Sequence, residues 1–278
     1  MSQIRTEEPA GIKPASLVKR VVTAVAYGVA VLGALWLGPL ATGVVFGVMA
    51  GIAASEFYAM QRRECRLPNE LFGVAAAAIM PVAAALWGLP GLLAVVTGLV
   101  AASLVWHTAF PQVKTADTAE TVFGAVYTGF LMAYLVLIRS YEAGLILSLA
   151  VVVSVWVNDM GAYFVGSLLG RHKLAPHISP KKSWEGFIAG SLVCVAVWAV
   201  VPFIPGSGLP VWLAIVTGIA VALASVIGDL AESRMKREAG VKDSGSSLPG
   251  HGGFLDRLDS LILVCLVAYW VLWWGGVR

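Results

Sequence analysis

The sequence predicts an all-α, polytopic membrane protein with about nine transmembrane helices, a cytoplasmic N-terminus and two polar cytoplasmic segments that form the site. Three observations carry this. Of 278 residues, 59% are hydrophobic and only 13% are charged, against roughly 25% charged in a soluble domain; mean hydropathy is +0.84. The apolar residues gather into nine runs close to the length of about 20 residues that a spanning helix needs. Finally, the basic residues fall almost entirely on one side of those runs.

The runs lie at 21–38, 41–60, 71–87, 89–106, 121–138, 143–157, 187–204, 210–228 and 260–275. Short "GLP" and "RSYE" turns divide 71–106 and 121–157. Residues 1–20 form a polar lead, and 21–278 an integral membrane domain with no room for a separate soluble unit. The first run exceeds a signal-peptide core and lacks a small-residue cleavage site, so it is expected to be retained. With nine spans, Arg139 and Arg278 fall on one side and the remaining seventeen of 19 basic residues on the N-terminal side. Basic residues in short loops mark the cytoplasm, and losing one span would scramble the pattern. The terminal "AYWVLWWGGVR" suits an outer aromatic belt. Cys65, Cys194 and Cys265 show no metal spacing, and no disulfide framework is expected.

The two polar segments are 158–186 and 229–259. Asp256 and Asp259 are three apart and share a helix face. Asp229 ends the eighth run and Asp159 the sixth, with Asn158 beside it as a further candidate. Four carboxylates at one membrane depth repel one another unless a cation lies among them, and hard oxygens suit Mg²⁺, which takes one or two carboxylates plus substrate phosphates. The same acids taken singly serve equally well as helix caps or partners of Lys and Arg.

Ser233, Lys236 and Arg237 follow Asp229 on one helical stripe if the eighth helix continues. Arg234 and Lys242 lie nearby, while Lys181 and Lys182 come from the other segment. Such charges satisfy the positive-inside rule alone or touch anionic headgroups, but here they adjoin "DSGSSLPGHGG", whose small residues let backbone N–H groups approach phosphates. Together they describe a nucleotide or polyphosphate site. His251 is either a phosphate donor or an exposed loop residue. Ser179 to Ser183, "SPKKS", reads as a turn leading into a helix. Glu56, an acid near membrane depth, is either functional or paired with a basic loop residue. Zinc-protease, serine-hydrolase and P-loop motifs are absent.

Residues 233–259, "SRMKREAGVKDSGSSLPGHGGFLDRLD", resemble the signature of the phosphatidate cytidylyltransferase (CDP-diacylglycerol synthase) family. Ser233, Lys236, Arg237, Lys242, Asp243, His251, Gly252, Gly253, Asp256, Arg257 and Asp259 fall at its spacing. "NDMGAYFVGSLLGRHKLAPHISPKKSWEG" resembles the family's other polar segment, and the likeness runs from about residue 50. It implies CTP and phosphatidic acid as substrates in a bilayer of the inner or plasma membrane, CDP-diacylglycerol and pyrophosphate as products, and Mg²⁺ as the ion. A second metal or a monovalent cation remains compatible with the acids. It also implies metal at Asp229 and Asp256, with Asp259 close by and Asp159 as a further acid. Asp256, Asp259, Lys242 and Asp243 form the catalytic set. Phosphate contacts are expected from Ser233, Arg234, Lys236, Arg237, His251, Gly252, Gly253, Arg257, Ser179, Lys181 and Lys182. The lipid phosphate, largely ionised at neutral pH, is the nucleophile and needs no strong base.

Nucleic acid is not an expected partner, and Gly- and Ala-rich spans leave a homodimer open. Two alternatives differ in chemistry. A CTP-dependent polyprenol kinase needs a base for its alcohol. An ion-coupled transporter needs charges at the bilayer midplane, whereas these cluster at one surface.

Overall fold

The computed structural model describes residues 14–64, 66–247 and 252–278. Helices dominate: α1 (Pro14–Leu37), α2 (Pro39–Gln61), α3 (Glu70–Ala109), α4 (Thr115–Ala125), α5 (Leu131–Arg139), α6 (Gly144–Leu169), α7 (Trp184–Val200), α8 (Val211–Glu238) and α9 (Asp259–Trp274). A π-helical turn, Val126–Phe130, joins α4 to α5, and a 3-10 turn, Leu255–Arg257, precedes α9. Two strands, β1 (Lys173–Ala175) and β2 (Ser179–Ser183), pair antiparallel.

Among the described residues six helical stretches are long and apolar enough to cross a membrane: Pro39–Glu64, Glu70–Ala109, Thr115–Arg139, Gly144–Leu169, Trp184–Phe203 and Val211–Glu238; Val21–Leu37 and Asp259–Trp274 are shorter apolar helices. The 40-residue α3 folds back on itself. Gly88, at φ 62° and ψ −151°, interrupts the helix, and Phe72 and Trp106 from its two ends come within 6.0 Å, ring centre to ring centre. In a straight helix they would lie about 50 Å apart at 1.5 Å per residue. The runs 71–87 and 89–106 are therefore the two arms of a helical hairpin.

Local chemistry sets the helix ends. Asn69 Oδ1 accepts from Phe72 N at 3.1 Å to start α3, and Ser183 Oγ accepts from Gly186 N at 3.2 Å to start α7, each satisfying an N–H that the first turn leaves free. Asp117 accepts from Lys114 N and from Leu67 N, both at 2.9 Å, and pins the segment before α3 to α4. Small residues set the helix spacing. A Cβ at Gly190 would stand 2.5 Å from the Asn158 carbonyl oxygen, and one at Gly186 2.6 Å from that of Ala162. Helices α6 and α7 pack backbone to backbone there, as glycines four apart allow. The central packing holds Phe46, Phe57, Tyr58, Met80, Met132, Leu135 and Trp198, all fully buried. Trp198 Nε1 donates to Ser154 Oγ at 3.2 Å.

The polar segments begin as helix: α6 runs past Asp159 to Leu169 and α8 past Asp229 to Glu238, because nothing before Gly170 or Gly240 breaks the helical hydrogen bonds, and the eighth helix thus continues through the stripe of Ser233, Lys236 and Arg237. One local expectation is corrected. Residues 179–183 form a strand rather than a turn. The all-α reading thus gains a small β-hairpin.

Candidate active site

The second half of α6, the middle of α8 and the starts of α7 and α9, with the β-hairpin and the 3-10 turn, enclose a cavity of about 540 Å³. Helix α6 contributes Asn158 and Asp159, and α8 contributes Ser225 and Asp229. Lys173, Lys181 and Lys182 enter from the hairpin, and Asp256, Arg257 and Asp259 from the turn and the start of α9. All four aspartates expected from the sequence, with Lys181, Lys182, Arg257 and Asn158, line this one space.

On α8 the residues 225, 229, 232, 233 and 236 recur at helical spacing, so one face carries them. Ser233 Oγ donates to Asp229 Oδ1 at 3.1 Å, and Lys182 Nζ lies 2.6 Å from Asp229 Oδ2. One turn on, Lys236 is buried and pairs both with Glu232, itself fully buried, and with Asp256 Oδ1 at 2.6 Å. Asn158 Nδ2 donates to Ser225 Oγ at 3.0 Å and ties α6 to α8, while its buried Oδ1 has no hydrogen-bond partner among the described residues.

Asp256 is the hub of the turn. Besides Lys236 it accepts Gly253 N at 2.8 Å and Ser244 N at 3.1 Å. Burial alone would raise its carboxyl, but the Lys236 ammonium and the Gly253 N–H outweigh it and hold Asp256 below the usual carboxylate range. A carboxylate offers about four lone-pair positions, and protein donors occupy most of those on Asp256.

Glu56 is not paired with a basic loop residue among the described residues. It is buried in α2 and accepts from Phe254 N at 2.9 Å, Leu255 N at 2.8 Å and Ser244 Oγ at 3.0 Å. One carboxylate from the second helix thus seats the turn and the glycine loop. Gly245 and Gly253 there have no room for a side chain. A Cβ at Gly253 would stand 1.9 Å from Ser244 Oγ and 2.7 Å from Glu56 Oε2, and one at Gly245 2.6 Å from Glu56 Oε1. Gly252 sits at φ 82°, where a side chain is strained. Gly253→Ala is therefore expected to unseat the turn, read as lost protection from hydrogen exchange at the Phe254 and Leu255 amides.

Other expected phosphate contacts lie apart from the cavity. Arg234 is exposed and pairs with Glu238 at 2.9 Å, and Arg237 donates to the Val241 carbonyl at 2.9 Å. Ser179, Lys242 and Asp243 do not line the cavity, and the last two are exposed. Ser233 and Lys236 act on Asp229 and Asp256 from behind, and the Gly253 N–H is spent on Asp256. His251 lies outside the described residues. Sequence reasoning missed Glu232 and Lys173. For Glu232 the signal was its place four residues before Lys236, a spacing at which opposite charges meet on a helix; for Lys173 no sequence signal existed.

The donor set suits a divalent cation. Asp159, Asp229 and Asp259 offer hard oxygens, and Lys182 already stands against Asp229 as a cation. Among the described residues no three acidic, histidine or cysteine side chains stand together as ready-made ligands.

A model described as "Cytidylyltransferase family" matches residues 18–274. A protein of Mycobacterium bovis named phosphatidate cytidylyltransferase is 36% identical over 208 residues, 68% of this chain and 67% of that one. One of the same name from Pseudomonas aeruginosa is 34% identical over 275 residues, 94% of this chain and 99% of that one. A third, from Staphylococcus haemolyticus, is 43% identical over 148 residues, 53% of this chain and 56% of that one. With the family model covering all but the ends and the Pseudomonas relative matched along nearly its whole length, the chain belongs to the cytidylyltransferase family.

Proposed function

We propose that the chain transfers the cytidylyl group of CTP to phosphatidic acid, giving CDP-diacylglycerol and pyrophosphate for phospholipid synthesis. A phosphate oxygen of the lipid bonds to the α-phosphorus of CTP. The bond from that phosphorus to the α–β bridging oxygen breaks, and pyrophosphate leaves with the electron pair. The observation that carries this reading is the cavity of four aspartates and three lysines set where the apolar stretches of α6 and α8 give way to polar residues. A water-soluble nucleotide and a lipid headgroup meet at such a boundary. The names of the relatives point the same way.

Asp159, Asp229 and Asp259 would hold a Mg²⁺ ion, which would supply charge neutralisation to the phosphates. The Asp256 carboxylate, once assigned to the same ion, belongs in this reading to the turn it seats, and from there it positions Arg257 and Asp259. Lys173, Lys181 and Lys182 offset the charge of the departing pyrophosphate, the electrostatic contribution on which phosphoryl-type transfers rest. No general base is required, since the lipid phosphate is ionised near pH 7.

The cavity faces the cytoplasm and the chain crosses the bilayer nine times. The lopsided basic residues support the first statement, and the fold-back of α3 supports the second. Lys182→Met is expected to lower transfer about a hundredfold, the usual cost of losing one preorganised charge partner, with the protein still folded. The reading itself is tested with purified protein, phosphatidic acid, Mg²⁺ and CTP labelled at the α- or γ-phosphate. The α-label should enter lipid and the γ-label stay in water. Entry of γ-label into an added polyprenol would instead indicate a kinase, and no nucleotide consumption a transporter.

A further inference from the structure

A second cavity, of about 470 Å³, opens on the other side of Asp159, Asp256, Arg257 and Asp259, which it shares with the first. Its remaining wall is mostly apolar: Thr23, Ala24, Tyr27 and Gly28 of α1 and Trp156 and Met160 of α6. The wedge between these helices has a plain cause. Val31, Ala34 and Leu35 bury the second half of α1 against the bundle, and Arg139 Nε donates to the Leu35 carbonyl at 2.7 Å. Val21, Val22, Val25 and Val29 in its first half are 55–66% exposed. The helix is anchored at its far end, and nearer the charged residues Tyr27 reaches Trp156 at 6.1 Å and Phe254 at 6.3 Å, ring centre to ring centre.

We infer that the cleft between α1 and α6 is the slot for an acyl chain of the lipid substrate. Rings and small apolar side chains line it, the shared Arg257 and acids mark where a phosphate head would cross into the first cavity, and the exposed valines beside it face the membrane. The nucleotide then enters from the hairpin side and the lipid from the α1 side, so that the two phosphates meet at Asp159 and Asp259. This rests on the cytidylyl-transfer reading above. It makes α1, outside the two polar segments, a determinant of lipid chain preference.

Gly28 gives the test. A Cβ added there meets no atom within 4 Å, and leucine favours a helix over glycine, so Gly28→Leu fills the slot without crowding the fold. Full-length protein is assayed with CTP and either dioleoyl or dihexanoyl phosphatidate. Gly28→Leu should raise KM for the dioleoyl lipid about tenfold, the effect of withdrawing one or two methylenes from burial. KM for CTP and for the dihexanoyl lipid should stay within about twofold, and Val25→Leu, on the membrane face, should change nothing. Equal effects on both lipids, or none, would overturn the slot. If wild type transfers to neither lipid, the cytidylyl-transfer reading fails and the slot with it. A photoreactive group at the acyl terminus gives a second readout on unaltered protein: labelling of Tyr27 or Trp156 supports the slot, and labelling confined to Val22, Val25 or Val29 overturns it.

Discussion

Asp256→Asn loses cytidylyl transfer by about a hundredfold or more, and the protein unfolds at a lower temperature. Asp256 joins Lys236, the Gly253 N–H and the Ser244 N–H. An asparagine carries no charge for Lys236 and turns a donor toward groups that are themselves donors. Removing one member of a buried pair costs about 3–5 kcal/mol, and the Lys236–Asp256 pair is nearly sequestered, each side chain 10% exposed. The turn that places Arg257 and Asp259 then shifts, and a displacement of about 1 Å at a reacting centre suffices for a hundredfold loss. The pH dependence follows the same group. Because the folded carboxyl lies below the ordinary range, it contributes stability that is present above its unfolded pKa of about 3.9 and lost as pH falls through the lower folded value. Wild type therefore keeps this part of its stability at mildly acid pH, and Asp256→Asn lacks the acid limb. Label transfer and thermal unfolding in detergent check both statements, and an Asp256→Asn enzyme of normal rate would contradict them.

Glu56→Ala is expected to be nearly as damaging, although Glu56 lines neither cavity. Its carboxylate receives two backbone N–H groups and a hydroxyl, and a hydrogen bond to a charged group is worth about 1.5–3 kcal/mol. Alanine strands the Phe254 and Leu255 amides in a buried place. Transfer should fall about a hundredfold, and exchange protection at those two amides should collapse while the amides of α2 keep theirs. Glu56→Gln retains one carbonyl oxygen and should fall between. A fully active Glu56→Ala enzyme would show that the turn holds its place without α2.

Much of this was legible in the sequence for simple physical reasons. Apolar runs announce membrane helices because backbone groups have no other partners in hydrocarbon, and all nine runs coincide with helical segments, the α3 arms included. The acids at 159, 229, 256 and 259 were legible as a set because each sits where an apolar run begins or ends, which fixes their common depth. What stayed hidden depends on contacts between distant segments. Glu56 and Leu255 are 199 residues apart, and no local pattern says that an acid in α2 receives N–H groups from the last loop. Likewise Lys236 shares a stripe with Asp229 yet turns inward, because Glu232 and Asp256 give a buried ammonium its only favourable place. Residues 179–183 read as a turn because the strand is short and polar, and only its pairing with residues 173–175 makes a hairpin.

The central claim is that transfer occurs in the cavity where Asp229 meets Lys182. The most direct measurement is the rate at which α-labelled CTP delivers label to phosphatidic acid for wild type, Asp229→Asn and Glu142→Gln, the last in the short connection between α5 and α6, outside both cavities. The account predicts rapid labelling by wild type and Glu142→Gln, and a loss of about a hundredfold or more for Asp229→Asn with its thermal unfolding intact. Equal labelling by all three would place the chemistry elsewhere in the molecule.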